Sequence, residues 1–188
     1  HGLKKFGVDV RFVDCTDLDA VREMLTVDTA VLYFETPVNP NMRVMDIAAL
    51  SDLAKDVNPD IKVVVDNTYC TPALQRPLTL GADLVVHSAT KYLGGHGDLI
   101  AGAAVGDAET LEQIRLVGLK DMTGAAISPM TAFLVLRGMK TLDLRMERHC
   151  DNAQKVAEML ERHPAVEQVY FPGLESDPYH QLARSQMS

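Results

Sequence analysis

The sequence predicts an α/β fold, a mixed and mostly parallel sheet with flanking helices. Three observations carry this reading. Short β-branched runs alternate with segments of helical periodicity through the first hundred or so residues. Several of those runs are apolar without alternation, as in Lys62-Val63-Val64-Val65, the pattern of strands covered on both faces. The helical segments open behind aspartates suited to an N-cap.

Taken in order, residues 8–13, 30–34, 61–65, 84–87 and 102–105 read as strands. Residues 18–25 and 47–57 have apolar positions at helical spacing, behind Asp17 and Asp46. After Gly106 the pattern changes. Residues 108–116 read as a surface helix, and 129–162 as a long helical region bent near Gly138. A short strand at 166–171 and a helix at 180–187 follow. A domain boundary is expected near Thr141, dividing the chain into 1–141 and 142–188.

Composition narrows the function classes. With 188 residues, 47% hydrophobic and 23% charged, the chain has the balance of an ordinary globular protein. A net charge of −8 argues against nucleic-acid binding, which needs a dense Lys/Arg face. No apolar run approaches the roughly 20 residues of a membrane span. Cys15, Cys70 and Cys150 form no CxxC or metal spacing, so a reduced, cytoplasmic setting is expected. The opening HGLKKFGVDVRFVD reads as mid-domain sequence, and an interior fragment is expected.

In open α/β sheets ligands collect at the carboxyl ends of the strands. Three such ends carry reactive residues: Glu35-Thr36-Pro37-Val38-Asn39, Asp66-Asn67-Thr68 and Ser88-Ala89-Thr90-Lys91. Hydroxyls at Ser88 and Thr90 suit a phosphate, while a desolvated Lys91 amine suits attack on a carbonyl. Gly94, Gly95 and Gly97 let backbone pass close to a flat ligand. A carboxylate such as Asp66 keeps a facing pyridine nitrogen protonated, which turns that ring into an electron sink. Asn39 is placed to reach a phenolic oxygen on the ring. His87 and His96 lack partners at metal spacing, and no GxGxxG or GxSxG motif is present. Arg145, Arg148 and His149 are expected on a solvated or interface face of a long helix.

The run VVVDNTYCTPALQRPLTLGADLVVHSATKYLGGHGD resembles the signature region of the Cys/Met-metabolism enzymes that use pyridoxal 5'-phosphate (PLP). ETPVNPNM, SPMTAFLVLRGMKTLDLRMERH and VYFPGL resemble the family's other blocks. The resemblance implies the fold-type I, aspartate-aminotransferase-like architecture, with a seven-stranded mixed sheet and a smaller C-terminal α/β domain. On that reading, 1–141 is the central part of the PLP-binding domain and 142–188 begins the second domain. Lys91 is then the lysine that binds the cofactor and shuttles protons. Asp66 partners the ring nitrogen, Ser88 and Thr90 contact the phosphate, Asn39 approaches the ring oxygen, and Glu35 lies nearby.

Within the family, GLKDMTGAAISP is similar to the stretch found in methionine γ-lyases. There a Lys-Asp pair, here Lys120-Asp121, lies near the substrate's leaving group. The resemblance therefore implies α,γ-elimination of a small sulfur amino acid, with methanethiol, 2-oxobutanoate and ammonia as the products from methionine. Cystathionine γ-lyase and O-acetylhomoserine sulfhydrylase activities are the alternatives within the family. An inactive folding or assembly unit is the alternative outside it. The resemblance also implies active sites shared between two subunits, in a homotetramer built as a dimer of dimers.

Overall fold

The computed structural model describes residues 2–187. A four-stranded sheet lies at its centre, ordered β1 (Val31–Glu35), β2 (Lys62–Asp66), β3 (Leu84–Ser88), β4 (Gly102–Gly106). β1, β2 and β3 are parallel, and β4 pairs antiparallel with β3. This is the mixed, mostly parallel sheet read from the sequence. Parallel neighbours need crossovers. α1 (Leu18–Met24) precedes β1 and α2 (Ile47–Val57) crosses to β2. The short α3 (Thr71–Leu74) and a 3₁₀ turn, Pro77–Leu80, lead to β3.

α1 and α2 start where Asp17 and Asp46 accept the backbone N–H of Ala20 and Ala49, satisfying first-turn donors left open by the helix. α2 turns Ile47, Leu50, Leu53 and Ala54 inward. They pack against Leu32, Phe34, Val63 and Val65 of the sheet, with Val21 and Ile61 completing the core. Each such large apolar side chain contributes roughly 1.5–3 kcal/mol by leaving water. β2 is buried through Val63, Val64 and Val65, as its unbroken apolar run implies. β1 alternates: Leu32 and Phe34 are buried, whereas Val31 and Tyr33 are about half exposed.

A second cluster of Ala89, Leu93, Leu142 and Met146 joins the loop after β3 to the helices that follow β4. Those are α4 (Ala108–Gln113), α5 (Pro129–Met139), α6 (Leu142–Glu161) and α7 (His180–Gln186). Among the described residues no helix is long and apolar enough to cross a membrane.

Four sequence expectations need correction. Residues 8–13 form no strand; Phe12 is 91% exposed and Val8 lies largely open, so the run has β-propensity but no sheet to join. Residues 166–171 form none either, and the Phe171 N–H is taken by the Asp177 carboxylate instead of a neighbouring strand. The helix expected at 108–116 runs on as a π-helical segment, Ile114–Thr123, until Gly124 turns left-handed at φ +62°. The helical region expected across 129–162 with a bend near Gly138 is two helices, parted just beyond that glycine at Lys140-Thr141. A close contact lies beside the break. Gly138 lies against the carbonyls of Leu93 and Gly94, where a Cβ would overlap the Gly94 oxygen.

Candidate active site

The carboxyl ends of β1, β2 and β3 open on a cleft of about 570 Å³. Register explains what meets there. Glu35 pairs with Asp66, Asp66 pairs with Val86, and Ser88 lies two residues beyond Val86. Side chains alternate along a strand, so Glu35, Asp66 and Ser88 leave the same face of the sheet. Thr90 and Lys91 enter through the turn after β3, and Asn39 through the loop after β1. All six line the cleft. A second cleft of equal volume, around Arg43, Glu161 and Tyr179, holds none of them.

The turn carrying Lys91 is tightly bonded. The Lys91 N–H donates to the Ser88 carbonyl (3.0 Å), the Gly94 N–H to Ala89 (2.8 Å) and the Gly95 N–H to Lys91 (2.7 Å). Gly95 and Gly97 adopt φ of +77° and +68°, conformations that favour glycine. Lys91 is exposed, and among the described residues its amine has no ion-pair partner.

Asp66 is held from both sides. Its Oδ1 accepts the Thr68 N–H (3.0 Å) and hydroxyl (2.6 Å), and its Oδ2 accepts the Tyr33 hydroxyl (3.1 Å). Thr68 Oγ1 in turn accepts the Ser88 N–H at 2.8 Å, tying the end of β2 to the end of β3. Burial, the Asp66 charge and the hydrogen bond to it push the Tyr33 phenol up to about 12, so it donates throughout the physiological range. Burial also raises Glu35; the Asn39 N–H, 3.4 Å from Oε2, opposes this, and the neighbouring Asp66 charge adds to it. Thr90 Oγ1 is engaged by the backbone of Ala101, accepting its N–H at 3.0 Å and donating to its carbonyl at 3.3 Å.

Lys120 and Asp121 stand apart. They lie exposed on the π-helical segment with their charges 4.0 Å from each other, outside the cleft lining. Conversely, sequence reasoning passed over lining residues. Tyr92 directly follows Lys91, and Thr68 and Tyr69 lie two and three positions beyond Asp66; that nearness in sequence is the available signal. Arg145 and His149 were read as a solvated or interface face, and both line the cleft. Their i, i+4 spacing on α6 puts them on one helix face. Arg145 donates to the carbonyls of Tyr92 and Gly138 (both 2.8 Å) and to Thr141 Oγ1 (3.1 Å), and His149 meets the Tyr92 ring edge-on with centroids 5.4 Å apart.

The family model for Cys/Met metabolism PLP-dependent enzymes matches residues 1–188. L-methionine gamma-lyases of Treponema denticola and Pseudomonas putida are 62% and 58% identical over the whole chain. A cystathionine beta-lyase of Coxiella burnetii is 50% identical over 96% of it. The chain spans about half the length of the curated relatives it matches. A crystal structure of cystathionine gamma-lyase from Lactobacillus plantarum superposes with a TM-score of 0.91 at 42% identity, covering 99% of this chain and 48% of that one. The metB structure from Corynebacterium glutamicum gives 0.92 at 40% identity, with the same coverage of both chains. With a strand-end cleft carrying the signature residues and a family match along its entire length, the chain belongs to the Cys/Met metabolism PLP-dependent enzymes and has part of their fold-type I architecture.

Proposed function

We propose that the full-length protein is a carbon–sulfur lyase that cleaves L-methionine by α,γ-elimination to methanethiol, 2-oxobutanoate and ammonia, with PLP in the strand-end cleft. The observation that carries this reading is convergence: a carboxylate from the end of β2 lines one cleft with a hydroxyl and an unpaired amine from the end of β3 and the turn after it. That donor set fits PLP, whose ring nitrogen, carbonyl and phosphate need such partners. The identity of 54–62% to curated methionine gamma-lyases supports the choice of substrate.

Bound there, PLP supplies a pyridinium ring that stabilises negative charge at the substrate α-carbon. Asp66 keeps the ring nitrogen protonated, because an opposite charge favours the cationic form. Lys91 would hold the cofactor through its Nζ, and the free Nζ would accept the α-proton of the bound amino acid, a contribution of about 10²–10⁴-fold. Ser88 and Thr90 would hold the phosphate. Asn39 donates to the ring oxygen, and Glu35 closes that edge of the cleft. Lys120 and Asp121 are assigned to the leaving end of the substrate on the sequence resemblance alone.

We further take residues 1–141 as the central part of the PLP domain and 142–188 as the start of the second, and the protein as a cytoplasmic homotetramer. Cleavage of cystathionine is the second reading, supported by the 50% identity to a cystathionine beta-lyase. Borohydride reduction in the presence of PLP, followed by peptide mapping, tests the site. A phosphopyridoxyl adduct on Lys91 is the expected result, and adducts spread over other lysines would overturn it. Turnover of methionine against cystathionine by the full-length protein then separates the two substrates.

A further inference from the structure

We infer that Tyr33 is a positioning residue for the Asp66 carboxylate, acting through its phenolic hydroxyl and not through packing; this rests on the PLP reading above. The two residues sit on neighbouring strands. Tyr33 pairs with Val64, so Asp66 stands one side-chain repeat further along the same face. That geometry brings the phenol to 3.1 Å from Oδ2, while Thr68 occupies Oδ1 with two donors. With one oxygen held by Thr68 and the other by Tyr33, the carboxylate is fixed in rotation as well as in place. Without the phenol, Oδ2 would have only solvent and cofactor to orient it.

Within this chain Tyr33 is 55% exposed and lies outside the core cluster, to which Leu32 and Phe34 of β1 belong. Glu35 lies beside the pair, so a carboxylate lacking a fixed donor would also face a second negative charge with less restraint. The Tyr33 phenol stays protonated well above neutral pH, which keeps the donor in place under assay conditions.

The experiment compares wild type, Tyr33→Phe and Asp66→Asn. In the cofactor-free protein, the phenol of ¹³C-labelled Tyr33 is titrated by NMR; Asp66→Asn should move its titration down toward that of an ordinary tyrosine. PLP affinity and the absorption band of the bound cofactor are then measured. Tyr33→Phe should weaken PLP binding about tenfold, the size expected for one hydrogen bond to a charged group. It should also shift the band, with the melting temperature of the cofactor-free protein unchanged. An unmoved Tyr33 titration in Asp66→Asn, or a Tyr33→Phe variant with wild-type affinity and band, overturns the inference and leaves the PLP reading standing. Wild type that binds no PLP sinks the PLP reading, and this inference with it.

Discussion

The strand-end region and the helical region after β4 follow opposite rules. Between Val31 and Gly106 sheet register puts Glu35, Asp66 and Ser88 on one face, and short bonded segments beyond the strand ends carry Asn39, Thr90 and Lys91. From Ile114 to Met139 little is held in that way. Leu119, Met122, Ile127, Met130, Phe133 and Leu136 are all exposed, and Gly138 is the one buried residue of α5. Position in the first region is a local property of pairing. In the second it depends on what packs against the helices.

That contrast can be tested at several sizes of effect. The largest is expected where the two regions touch. Gly138→Ala drives a methyl into the carbonyls of Leu93 and Gly94, an overlap costing about 3 kcal/mol, against about 1 kcal/mol of helix propensity regained. A net loss of about 2 kcal/mol in urea unfolding is expected, and a neutral result would show that the α5–loop contact is slack.

A smaller effect comes from within the sheet. His87 is buried and, among the described residues, its Nδ1 has no hydrogen-bond partner; burial lowers its pKa, with Asp66 and the Asn67 backbone opposing. The unfolded chain therefore binds a proton at higher pH than the folded one. The stability this neutral imidazole contributes is present above the unfolded value near 6.5 and is lost as pH falls through the lower folded value. Thermal melts from pH 7.5 to 5 should fall more steeply for wild type than for His87→Asn, and equal slopes would place the acid sensitivity elsewhere.

The smallest effect is expected in the helical region. Lys120→Ala or Asp121→Ala should change the stability of this chain by less than about 0.5 kcal/mol, because the pair is exposed and 4.0 Å apart. A loss of 2 kcal/mol would mean that the segment is held as firmly as the strand ends.

The same contrast explains what was legible in the sequence. β2 could be read because Val63, Val64 and Val65 are buried without alternation, and α2 because Asp46 caps a clean apolar stripe. That Asp66 and Lys91 line one cleft could be read because β2 ends at Asp66 and Lys91 follows β3 by three residues. The failures are non-local. Residues 8–13 have strand composition but no partner, which composition cannot reveal. Arg145 and His149 reach the cleft only because α6 is broken from α5 at Thr141 and folds back on the loop beyond Lys91. Nothing in the helical periodicity of 142–161 specifies that approach.

The Arg145 guanidinium grips the carbonyl next to Lys91 with one arm and the carbonyl closing α5 with the other. In mechanical terms it is a short, stiff rod between the turn after β3 and the axis of a 20-residue helix. A load on α6 reaches the residues beside Lys91 through this side chain, through His149 against the Tyr92 ring, and through Leu142 and Met146 packed with Ala89 and Leu93. The far end of that helix lies about 24 Å from the guanidinium's own turn, so the lever arm is several times longer than the rod.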